Sequence, residues 1–181
     1  MLTLRWRDKL YMKKYSLFVL CVAALLAVGC GLSAALSEAE KETQELVESY
    51  VENHELFISV DTIIPHRGSP IHTFDGYFLK IKDGEANSYL PFFGESYVSM
   101  YGGVDKPEIE YKDCPVQVYE SVNSRGKHTW AFTGKSNGVD VTTTIEFFSS
   151  GYATITCTSP KRSMMRYKGT ITEDTLMNDA K

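Results

Sequence analysis

Four histidines, the cysteines at 114 and 157 and one aromatic cluster hold most of the chemistry open to this chain. His66 and His72 share the stretch from Pro65 to Asp75 with Arg67 and Asp75, and two imidazoles with a carboxylate make a ligand set that zinc accepts. Their spacing matches no metal motif and histidines are common in surface loops, so neither a metal nor another cofactor is expected. His54 ends an acidic helical stretch, where an imidazole complements the helix dipole. His128 opens a strand beside Trp130 and reads as a solvent-side residue. Gly94-Glu95-Ser96 lacks the second glycine of a nucleophile elbow. No residue is therefore assigned to catalysis and an enzyme is not expected. A metal-dependent hydrolase is the alternative, and it requires His66, His72 and Asp75 to converge in one pocket.

Cys114 and Cys157 fall at inward-facing positions of two strands. An exported chain permits a disulfide between them if their Cα atoms come within about 7 Å. Left free, they act as small hydrophobes, and neither has the neighbouring His or helix N-terminus that activates a thiol. The segment from Tyr89 to Tyr101 carries Tyr89, Phe92, Phe93, Tyr97 and Tyr101 around Pro91 and Gly94. These rings either fill the end of a barrel or stand at its mouth as a ligand or contact surface, stacking on a sugar or lining an apolar pocket. Lys161, Arg162, Arg166 and Lys168 gather at the last hairpin, as a solvated turn or as a face for anionic headgroups or glycan.

The elements that position these groups follow from periodicity. Ser37 with Glu40 forms a capping-box signature. Ala39, Thr43, Leu46, Val47, Tyr50 and Val51 then recur along one helical stripe, with glutamates on the other side. From Phe57 the period becomes two. Strands are predicted at Phe57–Ile64, Gly76–Lys82, Glu85–Leu90, Tyr97–Tyr101, Glu108–Lys112, Val116–Ser121, His128–Gly134, Val139–Phe148, Tyr152–Thr158 and Met164–Ile171. The glycine of Asp83-Gly84 supplies the positive φ of a two-residue hairpin, and Asn137-Gly138 punctuates a short link between neighbouring antiparallel strands. Val139, Val141, Thr143, Ile145 and Phe147 share one face and Asp140, Thr142, Thr144 and Glu146 the other. The fold class is mainly β: an antiparallel meander with one apolar face, closed as a barrel or left as a curved sheet, with one amphipathic helix packed across an end or an edge.

Ahead of the helix, Lys13-Lys14, an apolar run over 17–28 and Gly29-Cys30 read as a lipoprotein export signal with Cys30 as the lipidated N-terminus. The run is shorter than the roughly 20 residues of a spanning helix. Met12 is a better-placed start than Met1, since Lys13 and Lys14 stand directly behind it, and translation is expected to begin there. The expected organisation is a signal over 1–29, a spacer over 30–36 and a single β-rich domain over 37–181. Processing removes Arg5, Arg7, Lys9, Lys13 and Lys14 with only Asp8, so the body is more acidic than the net −4 of the whole chain. Such a charge disfavours nucleic acid as a partner.

Phe57-Ile58-Ser59-Val60, Gly76-Tyr77, Leu90-Pro91-Phe92-Phe93-Gly94, Gly151-Tyr152-Ala153 and Tyr167-Lys168-Gly169-Thr170-Ile171, behind a lipoprotein signal and a helix, resemble a lipoprotein family of Bacteroidetes, domain of unknown function 4251. Phe92 stands where that family tends to have Tyr. The resemblance implies an envelope lipoprotein with no assigned activity and supplies no site residues. Gly31-Leu32-Ser33, where surface-exported lipoproteins of that lineage usually carry acidic residues, imply an outer-membrane anchor facing the periplasm. The expected partners are the membrane, through the lipid on Cys30, and an envelope protein; the second reading is a binding protein for a small apolar or glycan ligand.

Overall fold

A computed structural model describes residues 38–74, 76–94 and 108–174. The leader with Cys30, the Ser37 cap, Asp75 and the strand expected at Tyr97–Tyr101 lie outside the described residues. The chain divides into two compact units, 1–42 and 43–181. Of the first, only the opening of helix α1 (38–52) is described, with Ala39 exposed. Everything below concerns the second.

Alternating apolar and polar residues give β1 (Leu56–Pro65), β2 (Ile71–His72), β3 (Phe78–Lys82), β4 (Glu85–Pro91), β5 (Glu108–Pro115), β6 (Tyr119–Val122), β7 (His128–Ser136), β8 (Val139–Phe147), β9 (Tyr152–Ser159) and β10 (Arg162–Ile171). In β8, Val139, Val141, Thr143, Ile145 and Phe147 are all buried, as the two-residue period requires. Two-residue turns join β3 to β4 and β7 to β8. Asp83 and Gly84 have φ of 52° and 76°, Asn137 and Gly138 of 50° and 78°, the paired positive angles of type I′ hairpins.

The strands form one antiparallel sheet in the order β5-β4-β3-β1-β10-β9-β8-β7-β6, with β2 paired to the outer part of β1. The first and last long strands are therefore neighbours, Ile58 opposite Ile171 and Ile63 opposite Tyr167. Gly169 sits where β10 presses on β1: a Cβ there would lie 2.1 Å from the Ser59 carbonyl oxygen.

The sheet curls until its first edge, β5, meets β7. The Glu110 N–H donates to Ser136 Oγ at 2.9 Å and Asn137 Nδ2 donates to the Glu108 carbonyl at 3.1 Å. Side chains thus complete a seam that the ladder leaves open. Inside the curl, Trp130, Tyr111, Tyr167, Phe132 and Phe147 are fully or almost fully buried. Trp130 meets Phe147 edge-on at 5.6 Å, as Tyr111 meets Phe132, the geometry that aromatic quadrupoles favour.

Within the second unit, α1 places Val47 in this core, with Tyr50 and Val51 packed against it, and Tyr50 Oη donates to the Thr172 carbonyl at 3.2 Å. The helix stops in a Schellman turn: the N–H of Glu55 reaches the Tyr50 carbonyl and that of His54 the Val51 carbonyl, with His54 left-handed at φ 54°.

Two departures from the sequence pattern have physical causes. β6 begins at Tyr119 rather than Val116 because 116–118 crosses between the edges: the Val116 N–H bonds to Gly84, and Val116 and Val118 touch the core without joining a ladder. β2 is too short to show a period. Replacing Gly169 by Ala is expected to lower unfolding free energy by about 2–3 kcal/mol, the cost of overpacking against an immovable backbone. Urea denaturation measures it, with Thr170→Ala as the near-neutral control.

Candidate functional site

β1 and β4 both end on proline, Pro65 and Pro91. Proline cannot donate to a ladder, so the chain leaves the sheet after each, on the same side of the fold as the Arg162 end of β10, since Pro65 lies opposite Met165. The residues released there, His66 and Arg67 after β1 and Phe93 and Gly94 after β4, line a cavity of about 230 Å³ together with Ser163.

The surrounding contacts fix this rim. Tyr167 Oη donates to the Pro91 carbonyl at 2.9 Å from within the core. Arg162, buried at 6% exposure, lies over the Phe92 ring at 5.2 Å and donates through Nη1 to the Glu108 carbonyl at 3.4 Å. Its charge is thus met by an aromatic face and a backbone oxygen. Ser163 falls at the register irregularity between Arg162 and Met165. Any side chain at Gly94 would place its Cβ 2.1 Å from Ser163 Oγ and 2.7 Å from the Phe92 ring. Glycine is what lets the loop pass so close.

The aromatic segment splits three ways. Phe93 is half exposed at the cavity and Phe92 packs beneath Arg162. Tyr89 points outward from β4 and stacks on Tyr77 at 5.7 Å. Tyr97 and Tyr101 are outside the described residues. Of the expected contact surface, Tyr89 and Phe93 are thus exposed while Phe92 is drawn beneath Arg162.

The histidines separate as well. His72 Nδ1 lies 3.2 Å from Thr62 Oγ1 on the outside of β1, and only His66 lines the cavity. Among the described residues no three His, Cys, Asp or Glu are placed to hold a metal ion. His54 caps α1 and its Nδ1 pairs with Glu120 at 2.9 Å. His128 is not a solvent-side residue: its ring stacks on Phe147 at 5.0 Å, and Nδ1 is buried without a hydrogen bond. Its register opposite Phe147 draws it inward. Ser163 has no signal of its own in the sequence, although two prolines that end strands at one side of the fold, Pro65 and Pro91, mark the place where it lies.

Cys114 and Cys157 do not form the disulfide that the sequence permits; both are free thiols. Tyr111, on the same strand as Cys114, reaches toward Cys157 in place of that thiol: a Cβ on Gly134 would meet both the Tyr111 ring and Cys114 Sγ, while Tyr111 Oη lies 2.9 Å from Thr143 Oγ1 and the Thr143 hydroxyl lies 3.7 Å from Cys157 Sγ. Burial pushes the Cys157 thiol up to about 12, partly offset by the Thr143 hydrogen bond. Burial likewise raises the Tyr111 and Tyr167 phenols far above their ordinary value of 10.0. These groups serve packing, since a thiol that stays protonated is no nucleophile.

Two outcomes follow from that burial. At pH 8, iodoacetamide is expected to label the Cys114 peptide in the native protein and the Cys157 peptide only after denaturant is added, as read by mass mapping. Above pH 9 the unfolded chain gives up the Cys157 proton while the folded chain holds it until about 12, so stability falls as pH rises across that window. Cys157→Ala should flatten the decline in urea midpoints.

Residues 38–171 match the family model described as Domain of unknown function (DUF4251). The crystal structure of a DUF4251 family protein from Bacteroides eggerthii DSM 20697 is similar with a TM-score of 0.57 at 12% sequence identity, covering 77% of this chain and 95% of that one. At that identity the likeness concerns the fold alone. No curated protein matches the chain. The match runs through α1 and every strand from β1 to β10, and the chain belongs to the DUF4251 family.

Proposed function

We propose that this is a periplasm-facing envelope lipoprotein, tethered through a lipid on Cys30, that works by binding rather than by catalysis and binds at the cavity end of its sheet. The tether rests on the leader: basic residues, a short apolar run and Gly29-Cys30. The binding end rests on one observation of geometry. The chain enters the second unit at Thr43, whose methyl would collide with a side chain at Gly151, beside Ile171. The cavity of His66, Arg67, Phe93, Gly94 and Ser163 sits beyond the other end of β1 and β10, roughly 30 Å away at about 3.3 Å per strand residue. A body held at one end offers the other.

The interior of the curl takes no part in this binding. Trp130, Phe132, Phe147, Tyr111 and Tyr167 fill it, so a ligand held lipocalin-fashion inside the sheet does not fit, and the apolar ligand expected there gives way to one held at the rim. A protein partner is the second reading, favoured by β6, an edge strand exposed along its whole length with Tyr119 66% and Val122 60% accessible.

Cys30→Ala should move the protein from the detergent-extracted membrane fraction to the soluble envelope fraction; retention in the membrane defeats the tether. A thermal-shift panel of small glycans, amphiphiles and charged metabolites should give stabilising ligands whose effect Phe93→Ala abolishes. Ligands indifferent to Phe93→Ala but lost on Tyr119→Ala would move the function to the β6 edge.

A further inference from the structure

We infer that the turn between β8 and β9, with the turn between β6 and β7 beside it, seats in the headgroup layer of a zwitterionic bilayer. The inference rests on the tether proposed above and adds a second, non-covalent contact to it. Position is the first support. Val122 of β6 stands opposite His128, and His128 opposite Phe147 at the end of β8, so both turns lie at one end of the sheet. At that end the chain enters at Thr43, whose methyl would meet a Cβ on Gly151. From Cys30 to Thr43 the backbone advances 43 − 30 = 13 residues, at most about 45 Å when fully extended. A lipid on Cys30 thus keeps this end near the bilayer, and a contact too weak to hold alone becomes populated because the tether sets its effective concentration.

The make-up of the tip is the second support. Phe148 is 44% and Tyr152 71% exposed, and Val122 at the neighbouring turn 60%. Tyrosine is enriched at headgroup depth, and phenylalanine adds apolar area to bury there. No charged residue occurs between Glu146 and Lys161, so the tip has no ionic hydration to lose. Three hydrogen bonds close it: the Phe148 N–H donates to the Tyr152 carbonyl at 3.4 Å, the Gly151 N–H to the Phe148 carbonyl at 3.0 Å and the Ile171 N–H to the Gly151 carbonyl at 2.7 Å. Backbone groups paired within the protein leave water at less cost. Beside the tip Arg125 is exposed and Lys127 pairs with Glu146, which sets a guanidinium where lipid phosphates would stand. The charge of the lipid follows from α1, which leads from Thr43 to the start of β1 along this end and exposes Glu45, Glu48 and Glu52. Anionic headgroups would be repelled by that row. A zwitterionic headgroup offers a phosphate to Arg125 and an ammonium to the carboxylates. Phe93, also half exposed, lies at the far end beside the cavity and serves as the counter-position.

The test uses the lipidated protein in phosphatidylcholine vesicles whose acyl chains carry bromine, which quenches indole fluorescence on contact. Trp130, buried in the curl, gives the common background, and Phe148→Trp and Phe93→Trp supply the two reporters, each with an unchanged fold by circular dichroism. Emission from Phe148→Trp is expected to fall at least about twofold while that from Phe93→Trp holds, as an interfacial contact at one end requires. Adding Tyr152→Ser and Arg125→Glu to the Phe148→Trp protein should restore most of the lost emission although the protein still floats with the vesicles. Quenching at Phe93→Trp instead, quenching that survives Tyr152→Ser with Arg125→Glu, or quenching seen only once phosphatidylglycerol is added would each overturn the seat. If Phe148→Trp stays bright on protein that floats with the vesicles, the seat falls and the tether stands. If the wild-type protein floats no better than Cys30→Ala, both fall.

Discussion

Everything in this fold follows from one requirement: a sheet with a single apolar face must roll far enough to hide that face against itself. Among the described residues no second sheet lies across it, and α1 contributes Val47 with flanking contacts from Tyr50 and Val51. Large aromatic side chains meet across the curl, and Trp130, Tyr111 and Tyr167 are buried there together with Ile58, Leu90 and Ile145. Rolling brings the β5 edge to β7 at an angle that backbone pairing does not complete. Ser136 and Asn137 hydroxyl and amide groups satisfy the Glu110 N–H and the Glu108 carbonyl instead, so the backbone polar groups at the seam are met without a ladder.

The same requirement explains the polar groups found inside. Thr143 and Cys157 occupy core positions of β8 and β9, and Ser88 one of β4. Each is paired: Thr143 with Tyr111, Cys157 with Thr143, and Ser88 with the backbone of Ile109 and Tyr111. The Tyr111 hydroxyl, placed on a ring that must be central for packing, needs a partner where it ends. A hydroxyl on β8 supplies it, which makes threonine the answer there where valine would serve packing alone.

Much of this was legible beforehand, for identifiable reasons. β8 announced itself through nine alternating residues, and Asp83-Gly84 announced its hairpin because positive φ closes it, while Asn137-Gly138 marked only a short link. Strand ends were less legible where the chain leaves the ladder for tertiary reasons, as at Val116. The rim was least legible, since it gathers His66, Phe93 and Ser163 from three segments far apart in sequence. No local pattern encodes that meeting; it depends on β1 and β10 being neighbours. Cys114 and Cys157 illustrate the same limit, for strand spacing alone could not reveal that Cys157 meets the Thr143 hydroxyl while both thiols stay free.

The neighbouring of β1 and β10 also governs the order of events as the chain is made. A ribosome delivers the β1–β3–β4–β5 meander first, with the inner strand of that half carrying Ile58, Val60 and Ile63 and lacking its partner. That bare edge persists until the final strand arrives, because the contact that covers it spans nearly the whole domain in sequence, the kind of pairing that is slow to form. A nascent chain thus stays incompletely folded through most of its synthesis, a state compatible with threading through a narrow pore, and it commits to its native form only when its last ten-residue strand is in hand.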